Sequence, residues 1–440
     1  MRLGLEKLRR WTFGSTNPLK SRKTRGHYQE IKQVLENPGS QASRAIKDKY
    51  LSDLLVHATR SCDYYLSYKN YGGLHDFPIM DKRTIMENFD KVRSSVFYYS
   101  DNFKVFAGAS AGVPFNVFQD QRKRDRHLAE TMFFMENSGA NPKDKIVYLH
   151  PLTSKHDANM PQGMPIEVVE NTRVDMGNLL DKLRKDKSGK HLVGSLSWFE
   201  QLCKHMDDTH CEPQDYKVRS VISIAEGLDN SLKKRVTKFL QAPVYERYST
   251  AENGILAQQT NDSPDVLALN LASYVIEILE EDTDQHVKPG ATGRIVVTDL
   301  FNYAMPMIRY DTGLIAQFGI NWEGSPVLSK IDGQMMDAIY DSEGNFVSPN
   351  IFEKVSDFSN IQQFQFIQKG QKDYIIRLHG QPENTDEKAL TGHFRKYLGP
   401  EAVIDFEYER EIPHAITTKR ISVLNAYLKK HGINKPKLPS

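Results

Sequence analysis

The sequence has few cysteines, almost no net charge and no long apolar run, and each shortage excludes a class. Three cysteines (Cys62, Cys203 and Cys211) among 440 residues are too few and too odd in number for a disulfide framework, and fit a reducing cytoplasm. No run of 18 apolar residues occurs, so no membrane-spanning helix is expected. The 58 Lys and Arg against 56 Asp and Glu give no global case for nucleic-acid binding. Internal repeats and low-complexity linkers are also lacking. What is there, 39% hydrophobic and 26% charged residues, is the composition of a soluble globular protein long enough for two or three structural units.

The N-terminal stretch departs from the charge balance. Up to His27 there is one acid, Glu6, against eight bases from Arg2 to Arg25. Leu5, Leu8 and Trp11 recur near helical spacing beside Arg2, Arg9 and Arg10, and no apolar region or small-residue cleavage site follows, which argues against a secretory signal. Two readings stay open for residues 1–27: a basic amphipathic helix resting on an anionic membrane surface, or a solvated terminus.

Residues 28–100 carry mixed-polarity stretches at helical spacing, as from Tyr50 to Tyr65. From Lys145 short apolar runs alternate with amphipathic stretches: strands over Ile146–Leu149, Val218–Ile224, Pro243–Arg247 and Ile255–Ala257, helices over Trp198–Met206 and Leu228–Leu240. That alternation predicts an α/β core. Past Val266 the pattern predicts strands at Val266–Leu271, Val275–Leu279, Gly293–Thr298 and Met307–Tyr310, hence an antiparallel sheet or small β-barrel attached to the core. Beyond Gly333 two alternating strands around Phe364–Phe366 and Tyr374–Leu378 are joined by the polar turn Lys369–Lys372. A helix over Thr385–Leu398, N-capped by Asn384 or Thr385, and a strand over Val403–Tyr408 complete a small α+β unit. The expected division is therefore 1–27, 28–333 and 334–440.

Four segments carry residues suited to chemistry. Val105–Pro114 reads as a strand entering a loop of small residues, with Ser110 and Gly112 where backbone N–H groups can approach an anion; such loops also serve as plain hairpin turns. Tyr248-Ser249-Thr250-Ala251-Glu252 lies between two expected strands, where a carboxylate can hold Mg²⁺ beside a phosphate or simply face solvent. Pro306–Gly313, with Arg309 and Asp311, suits polar-ligand recognition or a sheet edge. Lys419, in the polar loop after Pro413, is a point charge for phosphate or carboxylate.

Taken in order, the small-residue loop, Tyr-x-x-x-Glu, Arg-Tyr-x-Thr-Gly and the late lysine resemble the adenylate-forming superfamily. The further phrases Phe77–Lys82, Ser223–Leu228, Arg247–Ala257 and Gly293–Leu300 resemble its phenylacetate–CoA-ligase-like group, associated with capsular polysaccharide biosynthesis. The resemblance covers roughly residues 30 to 425.

It implies an α/β fold: a large N-terminal domain of α/β sheets plus a small β-barrel, with a small C-terminal α+β lid turning near Gly333–Asp337. It also implies activation of a small carboxylic acid by ATP and Mg²⁺ as an acyl-adenylate, with transfer to CoA, a carrier-protein thiol or another acceptor. Negative charge gathers where the carboxylate attacks the α-phosphate, so a metal, N–H donors and a lysine are needed there. By the same resemblance Glu252 is the Mg²⁺ ligand, Lys419 bridges carboxylate and phosphate, and Ser110 and Gly112 belong to the phosphate loop. Ala225 and Glu226 lie by the adenine and Tyr248 by its ring; Ser249, Thr250, Arg309 and Asp311 complete the nucleotide site. The expected location is the cytoplasm, with a peripheral place at the inner membrane surface under the membrane-helix reading of the basic N-terminus.

Three features depart from the family pattern. Ala107, Ala109 and Ala111 replace hydroxyls in the loop, Leu314 stands where a ribose-binding carboxylate is usual, and Gln334 replaces an arginine. These losses keep open an alternative, a catalytically degenerate ligase homologue acting as a binding or scaffolding protein. Cys203, His205, His210 and Cys211 are zinc-type residues, but Cys203 and His205 stand about 200° apart on a helix, so no zinc site is assigned.

Overall fold

The β-branched runs from residue 145 onward form a sheet because their side chains alternate between two buried faces. Leu192, Val221 and Val244 enter one apolar layer while their neighbours Val193, Ile222 and Tyr245 enter another, the period-two signature of strands covered on both sides. The computed structural model describes residues 21–100, 102–107, 115–141, 144–150, 166–170, 176–224, 230–280, 283–334, 339–344, 346–347, 364–379, 385–409 and 423–427. It forms two compact units that divide between Asp332 and Gly333.

The larger unit opens with helices α1 (Arg22–Glu36), α2 (Gln41–Ser61) and α3 (Lys82–Glu87). The expected boundary at residue 27 falls inside α1, and residues 1–20, with the basic amphipathic segment, lie outside the described residues. Strands β1 (Phe103–Ala107) and β2 (Phe115–Gln119) pair antiparallel and lead into α4 (Gln121–Glu136), whose N-cap Asp120 accepts from the Lys123 N–H at 2.9 Å.

Next come β3 (Lys145–His150), β4 (Ile166–Glu170), α5 (Met176–Lys185), β5 (Lys190–Ser195), α6 (Leu196–Asp208), β6 (Val218–Ile224), α7 (Asn230–Leu240), β7 (Val244–Thr250) and β8 (Gly254–Gln258). After them run β9 (Leu267–Leu269), β10 (Tyr274–Leu279), β11 (Thr292–Asp299), β12 (Tyr310–Ile320) and β13 (Pro326–Gln334). All but β1 and β2 join one 11-stranded sheet in the order β10-β11-β12-β13-β9-β8-β7-β6-β5-β3-β4. Pairing is parallel from β4 to β7 and antiparallel from β7 through β8 to β9. Helices α5, α6 and α7 bury Leu179, Leu183, Trp198, Leu202, Leu232 and Val236 against the parallel half.

One expectation here is corrected. Met307–Tyr310 is not a strand: Met307 and Ile308 are buried, but Arg309 has φ +49° and breaks the extended path, so β12 starts at Tyr310 and runs on to Ile320. Trp198, which opens the expected helix Trp198–Met206, is fully buried in the apolar layer beneath the sheet.

In the second unit β14 (Ile339–Tyr340) pairs with β15 (Phe346–Val347), and β16 (Phe364–Gln368) pairs antiparallel with β17 (Asp373–His379) across the expected turn. Helix α8 (Glu387–Leu398) follows, capped by Asp386, whose carboxylate accepts from the Ala389 N–H at 2.9 Å. The cap is thus neither Asn384 nor Thr385. Strand β18 (Val403–Glu409) lies parallel to β17, and β19 (Val423–Asn425), unforeseen in the sequence, lies parallel to β16. Phe366 stacks on Phe394 at 5.1 Å in the centre of this unit's core.

Candidate functional site

Strand β7 is the last parallel strand, and its carboxyl end reaches beyond that of β6, whose final residue Ile224 pairs with Arg247. Carboxyl ends of parallel strands, where the topology changes, are where α/β sheets bind ligands. Here the chain turns at Ala251–Asn253 and returns as antiparallel β8. The turn closes locally: the Asn253 N–H donates to Thr250 Oγ1 at 3.1 Å, a side chain substituting for a backbone turn bond.

Glu252, only 9% exposed, has two hydrogen-bond donors on it and a third neighbour that acts through its charge. Its backbone carbonyl accepts from Gln119 Nε2 at 3.1 Å, and Oε1 of its carboxylate accepts from the Tyr310 hydroxyl at 3.0 Å. The third neighbour is Lys82, whose half-buried ammonium is pushed below its ordinary range by burial while the Glu252 charge opposes that shift. Burial, then Glu252, holds the Tyr310 hydroxyl well above the usual tyrosine range, so it stays a donor.

Lys82 and Tyr310 come to this turn together because their segments pair. The Met80 N–H donates to the Arg309 carbonyl at 3.0 Å and the Asp311 N–H to the Met80 carbonyl at 2.9 Å. Arg309 clamps the Phe77–Met80 strap further: its guanidinium makes two 3.1 Å bonds to Glu277 and one to the Phe77 carbonyl. Its donors are thus spent on the protein, and it shapes the site by fixing Tyr310. Asp311 is likewise engaged, by Arg294 at 3.0 Å and by the Gly313 N–H at 2.9 Å. The continuing strand directs its carboxylate to Arg294.

Tyr248 is buried in the same apolar cluster as Leu314, Leu256 and Ile295. Burial raises its hydroxyl above the usual range, with Thr312, Glu252 and Asp311 in its electrostatic surroundings. Ser249 and Thr250 are half-buried at the end of β7. Of the residues expected from sequence, Tyr248, Ser249, Thr250, Glu252 and Asp311 therefore gather around two adjoining segments. Ser110, Gly112, Ala225, Glu226 and Lys419 lie outside the described residues.

Gln119, Lys82 and Tyr310 escaped the sequence-based selection of site residues. The only signals were positional: Lys82 closes Phe77–Lys82, and Tyr310 alternates with Arg309 and Asp311 on opposite sides of one backbone. Chemically, a well-oriented carboxylate suits Mg²⁺, which takes one or two carboxylates together with phosphate oxygens and water. Glu252 fits that role. Cys203 is buried in the core beneath the parallel strands, where burial pushes its thiol up to about 11, and Cys211 lies 3.7 Å from the Tyr216 hydroxyl.

Comparison with solved structures relates the whole arrangement to known proteins. The structure of 2-hydroxyisobutyryl-CoA ligase in the postadenylation state, in complex with 2-HIB-AMP, superposes with a TM-score of 0.64 at 16% identity, over 87% of this chain and 89% of that one. The fold is that of the adenylate-forming CoA ligases. The same ligase in complex with 2-HIB-AMP and CoA gives a TM-score of 0.60 at 15% identity, over 91% and 93% of the two chains. O-succinylbenzoate coenzyme A synthetase from Bacillus subtilis, in complex with ATP and magnesium ion, gives 0.53 at 16% identity, over 72% of this chain and 68% of that one. No protein-family model and no curated protein matches the sequence. Among the described residues of this adenylate-forming-ligase fold, no helix is long and apolar enough to cross a membrane.

Proposed function

We propose that the protein activates a small carboxylic acid with ATP as an acyl-adenylate and passes the acyl group to a thiol, CoA or a carrier-protein arm. The observation that carries this reading is Glu252, a carboxylate oriented by Tyr310 and faced by Lys82 at the carboxyl end of the last parallel strand, in a fold shared with CoA ligases. In the first step a substrate carboxylate oxygen bonds to the α-phosphorus and the α–β phosphate bond breaks, releasing pyrophosphate. In the second, the thiol sulfur bonds to the acyl carbon, AMP leaves and the thiol proton is lost. Mg²⁺, when bound, offsets the charge of the phosphates.

Glu252 holds that ion, Lys82 supplies a fixed positive charge beside it, and Tyr248 borders the nucleotide. Lys419 bridges substrate carboxylate and phosphate, the loop containing Ser110 and Gly112 receives phosphate oxygens, and Ala225 and Glu226 border the adenine. The unit beyond Gly333 serves as the lid that brings Lys419 in. Within this reaction class the phrases Phe77–Lys82 and Arg247–Ala257 favour the phenylacetate–CoA-ligase-like group and a place in cell-surface polysaccharide synthesis. The basic N-terminus supports a peripheral position on the cytoplasmic side of a membrane.

A second reading, a degenerate homologue that binds or scaffolds, draws on Leu314 and Asp311. Leu314 is 5% exposed in an apolar cluster where the resemblance expects a ribose ligand, and Asp311 is committed to Arg294. Calorimetry of Mg-ATP binding, with thermal shift as a check, separates the two. A ligand at 100 times its Kd adds about 2.7 kcal/mol to the folded state. Binding that Glu252→Ala weakens supports the ligase and justifies a screen of carboxylic acids; no binding at millimolar ATP leaves the scaffold reading in front.

A further inference from the structure

Beneath the Glu252 turn lies a buried polar chain that the reaction does not use directly. Lys123, in the first turn of α4, is 1% exposed; its Nζ lies 2.6 Å from Asp299 Oδ2 and donates to the Tyr274 hydroxyl at 2.9 Å. The Tyr274 hydroxyl in turn donates to the Asn253 carbonyl. Asp299 is held at its other oxygen by the Phe301 N–H at 3.0 Å, and Asp299, Tyr274 and Asn253 are all at most 1% exposed. Four residues before Lys123, Gln119 binds the carbonyl of Glu252 itself. Consecutive carbonyls of the turn are thus gripped from the end of β2 and from the start of α4, the first directly and the second through Tyr274.

The approach is close enough to dictate sequence. Gly254 has φ +105°, and a Cβ there would stand 2.8 Å from His127 Nδ1 and 3.1 Å from the Tyr274 hydroxyl. Only glycine both adopts this backbone and leaves that space. A buried ion pair is seldom retained for stability alone, since apolar replacement is often neutral or better. An outer-shell contact that orients a metal ligand has a stronger rationale.

We propose that Lys123 and Tyr274 are positioning residues: the chain Asp299–Lys123–Tyr274–Asn253 sets where the Glu252 carboxylate stands relative to bound Mg-ATP. The inference rests on the reading of Glu252 as the metal ligand. It predicts that the affected quantity is metal-dependent nucleotide affinity.

The test measures ATP binding calorimetrically with excess Mg²⁺ and again with EDTA. The variants are Tyr274→Phe, Glu252→Ala, the two combined, and Lys123→Met joined to Asp299→Asn so that no buried charge is left unpaired. Tyr274→Phe is expected to weaken Mg-ATP binding about 10-fold or more, to leave binding in EDTA within about twofold, and to add nothing in the Glu252→Ala background. The double replacement is expected to behave likewise. If Glu252→Ala weakens Mg-ATP binding while Tyr274→Phe does not, or weakens both conditions equally, the chain is structural and this inference falls alone. If Glu252→Ala leaves the metal dependence unchanged, or if the wild type binds no nucleotide, the ligand reading falls and takes the inference with it.

Discussion

The Tyr310 hydroxyl donates a 3.0 Å hydrogen bond to Glu252 Oε1 across 58 residues of sequence, tying the first residue of β12 to the turn that ends β7. Tyr310→Phe removes that donor with little change of shape. Outer-shell partners of a metal-binding carboxylate are worth about 10–100-fold in metal affinity. A Mg²⁺ titration of ATP binding should therefore shift by that factor in the variant. Melting temperature should fall only modestly, since a buried acceptor left unmatched costs about 1–3 kcal/mol.

Arg309 and Glu277 form a buried bidentate pair, 3% and 7% exposed. Arg309→Met strands the Glu277 carboxylate, and breaking one side of such a pair costs about 3–5 kcal/mol. The double variant Arg309→Met with Glu277→Met should recover most of the loss. Urea unfolding of the three proteins checks this; a double variant as unstable as the single one would mean that the bonds to the strap carbonyls dominate.

Leu314 packs with Tyr248, Leu256, Ile295 and Leu328. Restoring an acid by Leu314→Asp places a charge among them, at a cost of several kcal/mol unless it takes up a proton. The variant should unfold at lower urea, with the deficit shrinking as the pH falls toward 4. Unchanged stability together with tighter ATP binding would instead mean that this face opens to the nucleotide.

His27 provides a pH signature. Burial first, then the charges of Arg126 and Arg122, lowers its pKa from 6.5 to about 4, with Glu130 opposing and Lys23 adding to the shift. The unfolded chain therefore takes up a proton that the folded one refuses, and stability is lost as the pH falls through that window. Between pH 6.5 and about 4 the wild type should lose stability relative to His27→Gln. Below about 4 the two curves should run parallel. Thermal melts at half-unit pH steps read the difference directly.

The fold was legible where periodicity was strong. Val218–Ile224 showed itself as a short apolar run, and the turn Lys369–Lys372 announced itself by polarity between two apolar runs. Sequence misread Met307–Tyr310 because two apolar residues, one of them the β-branched Ile308, look like a strand, whereas the backbone turns left-handed at Arg309. The partners of its side chain, Glu277 and the Phe77 carbonyl, lie far away in the chain. The candidate site divides the same way. Glu252 stood out as an acid at a strand end, but nothing local marks Gln119, Lys123 or Tyr274, whose roles exist only once α4 is packed under the turn.

The 11-stranded sheet places Glu252 on a hairpin, not on one of the connections between a strand and a helix. Both arms of that hairpin are laced into the same ladder, so insertions or replacements in the helical connections can accumulate without moving the acid. What surrounds the turn could in this way change while the corner that carries Glu252, the proposed ion ligand, stays fixed.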